Sequence, residues 1–156
     1  MARSYVQIVN DIKELCAAHP QIRSCIKGDI LDVVSEEEVE YTACIFNIAQ
    51  ITPSMSINKQ ELIIDMFIGD RTFEDQSNRL SIENNTAQIT QDLLNVIFYS
   101  DRWQQYGDFS LLNPARLYYD RTLDRLTGWR TAISYKIVGV VNYDDLPFQN
   151  YNYNRS

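Results

Sequence analysis

Histidine occurs once in this chain, at His19, and that scarcity removes most of the acid–base chemistry on which enzymes rely. No Ser-His-Asp or Cys-His constellation can be assembled unless that one imidazole carries all the proton traffic. His19 stands at a helix end before Pro20, a place for capping carbonyls or meeting solvent. Glycine is also scarce: the 5 residues are scattered, and none builds a loop that cradles phosphate. The 3 cysteines, Cys16, Cys25 and Cys44, contain no CxxC spacing and lie in apolar patterns. They read as buried free thiols of a reducing compartment, and a zinc site would need more Cys or His ligands at close spacing.

Positive charge is in short supply as well. Lys and Arg number 14 against 21 Asp and Glu, a formal net charge of −7. That balance argues against a groove gripping nucleic-acid phosphates, though not against a surface past which DNA slides. No apolar run approaches membrane-spanning length, and MARSYVQIVNDIK has no apolar signal core. The expectation is a protein made in the cytoplasm, with no membrane contact.

What is present is the material of one folded unit. The 156 residues are 45% hydrophobic, enough for one core. The domain is expected over 1–145, followed by an Asn/Tyr-rich arm, 146–156. Glu61 to Tyr99 organises the rest. In ELIIDMFIGD, Leu62, Ile64, Met66 and Ile68 share one face, with Ile63, Asp65 and Phe67 on the other. Both faces are largely apolar, so this is a central strand with helix on at least one side. After a polar turn, Ile82, Ile89, Leu93, Val96 and Ile97 recur at helical spacing, opposite Asn84, Asn85, Gln88, Gln91 and Asp92.

Ser4 opens a first helix with a capping box to Gln7, and Tyr5, Ile8, Val9, Ile12, Leu15 and Cys16 form its stripe. In Ile22 to Val34, Gly28-Asp29 reads as a turn, and Ile30, Leu31, Val33 and Val34 as a short strand. Tyr41 to Ile48 is a strand whose Pro-containing connection, ITPSMSIN, leads into an antiparallel partner at Lys59 to Gly69. The stretch SDRWQQYGDFSLLNPA is expected as a long loop, and RLYYDRTLDR and TAISYKIVGVV as strands around a turn at Leu126-Thr127-Gly128. The fold class is therefore α+β: a mostly antiparallel sheet of four or more strands flanked by two helices. Ile12, Ile64, Met66, Ile89, Leu93, Ile97, Ile133 and Tyr135 are the expected core.

Candidate functional residues fall into two groups. Glu36, Glu37, Glu38 and Glu40 form an acidic run. With Asp29 and Asp32 they offer carboxylates for a divalent ion, the basis of an alternative reading as a small metal-dependent nuclease. They lack an accompanying strand-borne lysine, and a solvated surface on a rim or channel accounts for them more simply. Trp103, Tyr106 and Phe109 in the long loop either fold back over the helix end or meet a neighbouring subunit. Phe148, Tyr151 and Tyr153 sit in an arm with no periodicity that would place them in a core. Subunit contact is the expectation for both aromatic sets. No catalytic group, cofactor or required metal is expected.

Three stretches carry a resemblance: DMFIGDRTFEDQSNRLSIENNTAQITQDLL, LTGWRTAISYKIV and the Leu146-Pro147 pair near the chain end. Together they resemble the small tail-terminator and neck-ring proteins of tailed bacteriophages of Bacteroidetes hosts, including crAss-like phages. The likeness runs from the first helix to about Pro147, and its motifs are structural. It implies a virion protein forming a ring of six or twelve copies at the head–tail neck, in contact with other neck, portal or tail proteins. Six copies would carry 6 × −7 = −42 and twelve −84. An acidic bore repels phosphate, so DNA would pass through without specific binding.

Overall fold

A computed structural model describes residues 5–34, 39–54, 59–73, 75–105, 108–119 and 126–138. The elements are α1 (Tyr5–Ala18), β1 (Ser24–Lys27), α2 (Ile30–Val34), β2 (Ala43–Ser54), β3 (Lys59–Arg71), α3 (Arg79–Tyr99), α4 (Asp101–Gln104), β4 (Asp108–Tyr119) and β5 (Leu126–Val138). Five strands form one sheet in the order β1-β2-β3-β5-β4. Every pair is antiparallel except β1 with β2. The chain is α+β, as its alternating and helical periodicities require.

The centre of the sheet is the organising strand. β3 pairs with β2 on one side and along its whole length with β5 on the other, Lys59 opposite Val138 and Arg71 opposite Leu126. Its even-numbered side chains, Leu62, Ile64, Met66 and Ile68, join Cys44, Phe46, Ile133 and Tyr135 in one core. α1 contributes Ile8, Ile12 and Cys16 to that core, and α3 contributes Ile89, Leu93 and Ile97. All eight expected core residues are no more than 2% exposed. Val96, placed in the α3 stripe by its spacing, instead lies at the stripe's margin, 38% exposed.

α3 reconciles this burial with polar side chains. Thr86 and Thr90 are buried, and their hydroxyls donate to the carbonyls of Ile82 and Thr86, one turn back, at 2.6 and 2.7 Å. Trp129 Nε1 donates to the Glu83 carbonyl at 2.9 Å and ties β5 to the helix. The opposite face of the sheet has a smaller core at one corner. There Ile30 and Val33 of α2 cover Ala43, Ile45, Phe67 and Leu126.

Several local expectations give way to the tertiary arrangement. Ile30 to Val34 is the helix α2, not a strand, because β1 at Ser24–Lys27 takes the place beside Ala43–Phe46. β2 continues through Ile51 to Ser54, into the expected connection. Pro53 is tolerated there because β1 matches only Ala43–Phe46, leaving no β1 ladder at that point. Leu126, Thr127 and Gly128 are strand residues, not a turn; Gly128 pairs with both Gly69 and Tyr118. A Cβ on Gly128 would run into the Ile68 carbonyl and lie 2.6 Å from the Gly69 Cα. A Cβ on the paired Gly69 would run into the Phe67 ring, so that glycine leaves the space over β3 for Phe67, which meets Tyr118 edge to face, 5.2 Å between centroids. The capping residue Ser4 lies outside the described residues.

Candidate functional site

Among the described residues the sheet ends at β4, an edge strand with exposed apolar side chains. β4 is bonded to β5 with register shifts between Leu111 and Asn113 and between Asn113 and Arg116. Pro114, which has no N–H to donate, lies within the second. The shifts break the in–out alternation. The sequence neighbours Leu111 and Leu112 are 46% and 48% exposed, and Leu117 is 43% exposed. Beside them, the last turns of α3 hold Tyr99 82% exposed. Between helix and strand runs a groove of about 400 Å³, lined chiefly by Leu94, Asn95, Phe98, Tyr99, Phe109 and Leu111.

The groove's underpinning corrects the expected role of the aromatic loop. SDRWQQYGDFSLLNPA is α4 followed by the first half of β4, not a long loop. α4 turns Trp103 inward until it is 4% exposed, within the chain's own core. Phe109 is half-buried, edge-on to Trp103 at 5.7 Å and stacked on Tyr135 at 4.3 Å. Trp103 is thus not a surface anchor, and the half-buried Phe109 lines the groove. Tyr106, Phe148, Tyr151 and Tyr153 lie outside the described residues, as do Glu36, Glu37 and Glu38. Glu40 is exposed, and its backbone carbonyl accepts the Ser24 hydroxyl at 2.5 Å.

Away from its α2 corner, the second face of the sheet is polar. Arg130 on β5 forms a two-pronged pair with Asp65 on β3, Nε to Oδ1 at 3.0 Å and Nη2 to Oδ2 at 2.5 Å. This bonding raises the Arg130 pKa further above its ordinary value. Ser134 donates to Glu61 at 2.8 Å on the same face. A shallow hollow of about 260 Å³ lies over Asp65, Arg116, Tyr118 and Arg130. His19 is neither a carbonyl cap nor fully solvated: its Nε2 lies 2.9 Å from Asp92 Oδ2. The backbone N–H of Gln21 donates to Nδ1 at 3.2 Å, which makes Nε2–H the donor to Asp92 in the neutral ring. This hydrogen bond holds the Asp92 carboxyl below its ordinary pKa.

A third feature escaped the sequence altogether. Cys16 near the end of α1, Cys25 on β1 and Cys44 on β2 converge until their sulfurs all lie within 4.8 Å of one another. Cys25 and Cys44 are direct partners in the parallel pair, and α1 brings Cys16 down onto them. Cys16 and Cys44 are fully buried, whereas Cys25 is half-buried. A cleft of about 250 Å³ reaches Cys16 and Cys25 past Lys13 and Arg23. Hydrogen bonds from the Cys16 and Cys44 thiols lower the Cys25 pKa, while their own pKa values are raised. No signal along the chain could have found this cluster, because 9 and 19 positions separate its members (25 − 16 and 44 − 25).

No helix among the described residues is long and apolar enough to cross a membrane. The sequence matches no protein family and no curated protein.

Proposed function

We propose that the chain is a structural virion protein, a ring-forming subunit of the head–tail neck or tail terminator of a tailed phage. The observation that carries this reading is the β4 edge: a long strand with half-exposed Leu111 and Leu112 at an apolar groove and half-exposed Leu117 farther along. On either side of the register shifts and Pro114, which interrupt its middle, such an edge offers backbone hydrogen bonds and apolar area together, the combination used in strand addition between chains.

A ring needs two different complementary surfaces on each subunit. The opposite margin of the sheet supplies a candidate for the second, where Ile51 of β2 and Tyr5 and Val6 of α1 are exposed. Head-to-tail docking of β4 on that margin would run one sheet from subunit to subunit. The polar second face of the sheet, with its paired charges, suits a surface past which DNA moves without being held. The acidic residues Glu36 to Glu40 are assigned to the rim or bore, and the 146–156 arm to a neighbouring neck, portal or tail protein.

The test is the mass of the assembled particle, measured by light scattering and negative-stain imaging, for the chain alone and with the neighbouring neck proteins. Closed rings of six or twelve copies are expected. Leu112→Asp should leave the circular dichroism unchanged and abolish the ring. A chain that stays monomeric in both settings overturns the assembly role. Mg²⁺-dependent DNA cleavage would replace it with the nuclease reading.

A further inference from the structure

We propose that Cys16, Cys25 and Cys44 form a binding site for one thiophilic metal ion, Zn²⁺ or Cu⁺, held by three thiolate sulfurs. The inference is independent of the assembly role and departs from the metal-free expectation drawn from cysteine spacing. That expectation assumed that ligands must be close along the chain. Here all three cysteines of the sequence, on three separate elements, arrive at one point. Burial of small apolar side chains explains why any one of them is inside, but not why they meet.

Distance favours coordination. A tetrahedral Zn²⁺ with Zn–S near 2.3 Å sets its sulfurs about 3.8 Å apart. Sulfurs no farther apart than 4.8 Å reach that spacing with a closing movement of at most about 1 Å. Donor type then selects the ion. The group contains sulfur alone, which suits Zn²⁺ or Cu⁺ and disfavours the hard cations Mg²⁺ and Ca²⁺.

The surroundings fit as well. Cys16 and Cys44 are sealed in the core, while Cys25 stands where the cleft reaches the cluster, giving an entry path and room for a fourth ligand. Three thiolates leave an excess charge of −1 on Zn²⁺ or −2 on Cu⁺. Lys13 and Arg23, both lining that cleft, lie where they offset it. Binding is a proton exchange with no redox change: the metal takes the thiolate sulfurs, and each thiol deprotonated in the process releases its proton to solvent. The bound ion would pin α1 to the first two strands.

The experiment uses the full chain, purified under reducing conditions. Zn²⁺ is titrated against a chromophoric chelator, Cu⁺ against bicinchoninate, and Co²⁺ is added as a coloured stand-in for zinc. One ion per chain is expected, with a sulfur-to-cobalt charge-transfer band in the near ultraviolet. Preference for Zn²⁺ indicates a four-coordinate site completed by solvent, and preference for Cu⁺ a trigonal one. Cys25→Ser, at the half-buried position, should keep the wild-type circular dichroism and bind roughly 100-fold more weakly or not at all. Cys16→Ser should also lose the charge-transfer band. Folded, reduced wild-type protein that takes up no stoichiometric metal overturns the proposal. So does a folded Cys25→Ser protein that binds as tightly as the wild type.

Discussion

The two faces of one sheet behave as different materials. Beneath α1 and α3, alternate residues of β2, β3 and β5 bury Phe46, Ile64, Met66, Ile133 and Tyr135 almost completely. One residue along each strand, on the other face, the apolar packing among the described residues gathers at the α2 corner. Beyond it stand Asp65, Arg130, Glu61 and Ser134. Since the period of a strand is two, the same backbone ladder serves both faces, and only side-chain chemistry separates an apolar core from a polar face. Tolerance to substitution therefore differs between the faces. The helix-covered face sustains the fold, and the polar face and the β4 edge are free to carry contacts.

The helix-covered face is the more sensitive of the two. Leu93, 2% exposed and in the main core, should cost about 2–5 kcal/mol when changed to alanine, read from chemical denaturation. An unmoved midpoint would mean that α3 turns its stripe elsewhere. Gly128 tests the passage from one face to the other. Gly128→Ala places a methyl group against the Ile68 carbonyl and should cost about 1–3 kcal/mol, read from chemical denaturation. A neutral result would show that β3 and β5 separate easily at that pair.

Arg130→Ala should cost at most about 1 kcal/mol, because the Asp65–Arg130 pair is partly exposed and screened by solvent. A loss as large as that of Leu93→Ala would give the polar face a structural role equal to the core.

The smallest expected effect depends on pH. The folded Asp92 carboxyl lies below its ordinary pKa through the His19 hydrogen bond. Its stabilisation is therefore fully present above the unfolded value, about 3.9, and disappears as pH falls through the lower folded value. Asp92→Asn should flatten that acid limb of the stability curve. An unchanged acid limb would remove His19–Asp92 from the account.

Periodicity along the chain located β3, α1 and α3 and most of the face each buries, Tyr5 and Val96 lying exposed at the margins of their stripes. Two-residue alternation in β3 and helical spacing in α1 and α3 are properties of adjacent residues, and desolvation of their apolar stripes leaves few alternatives. Only the tertiary structure decided the rest, because each remaining feature is a relation between distant positions. Ser24–Lys27 is a strand on account of Ala43–Phe46 beside it. Gly128 is a strand residue because Gly69 and Tyr118 flank it, although locally it has the composition of a turn. Trp103 is inside because Phe109 and Tyr135 make a place for it. The three thiols meet because a helix and two parallel strands pack at that corner, and no spacing along the chain records where two elements will touch.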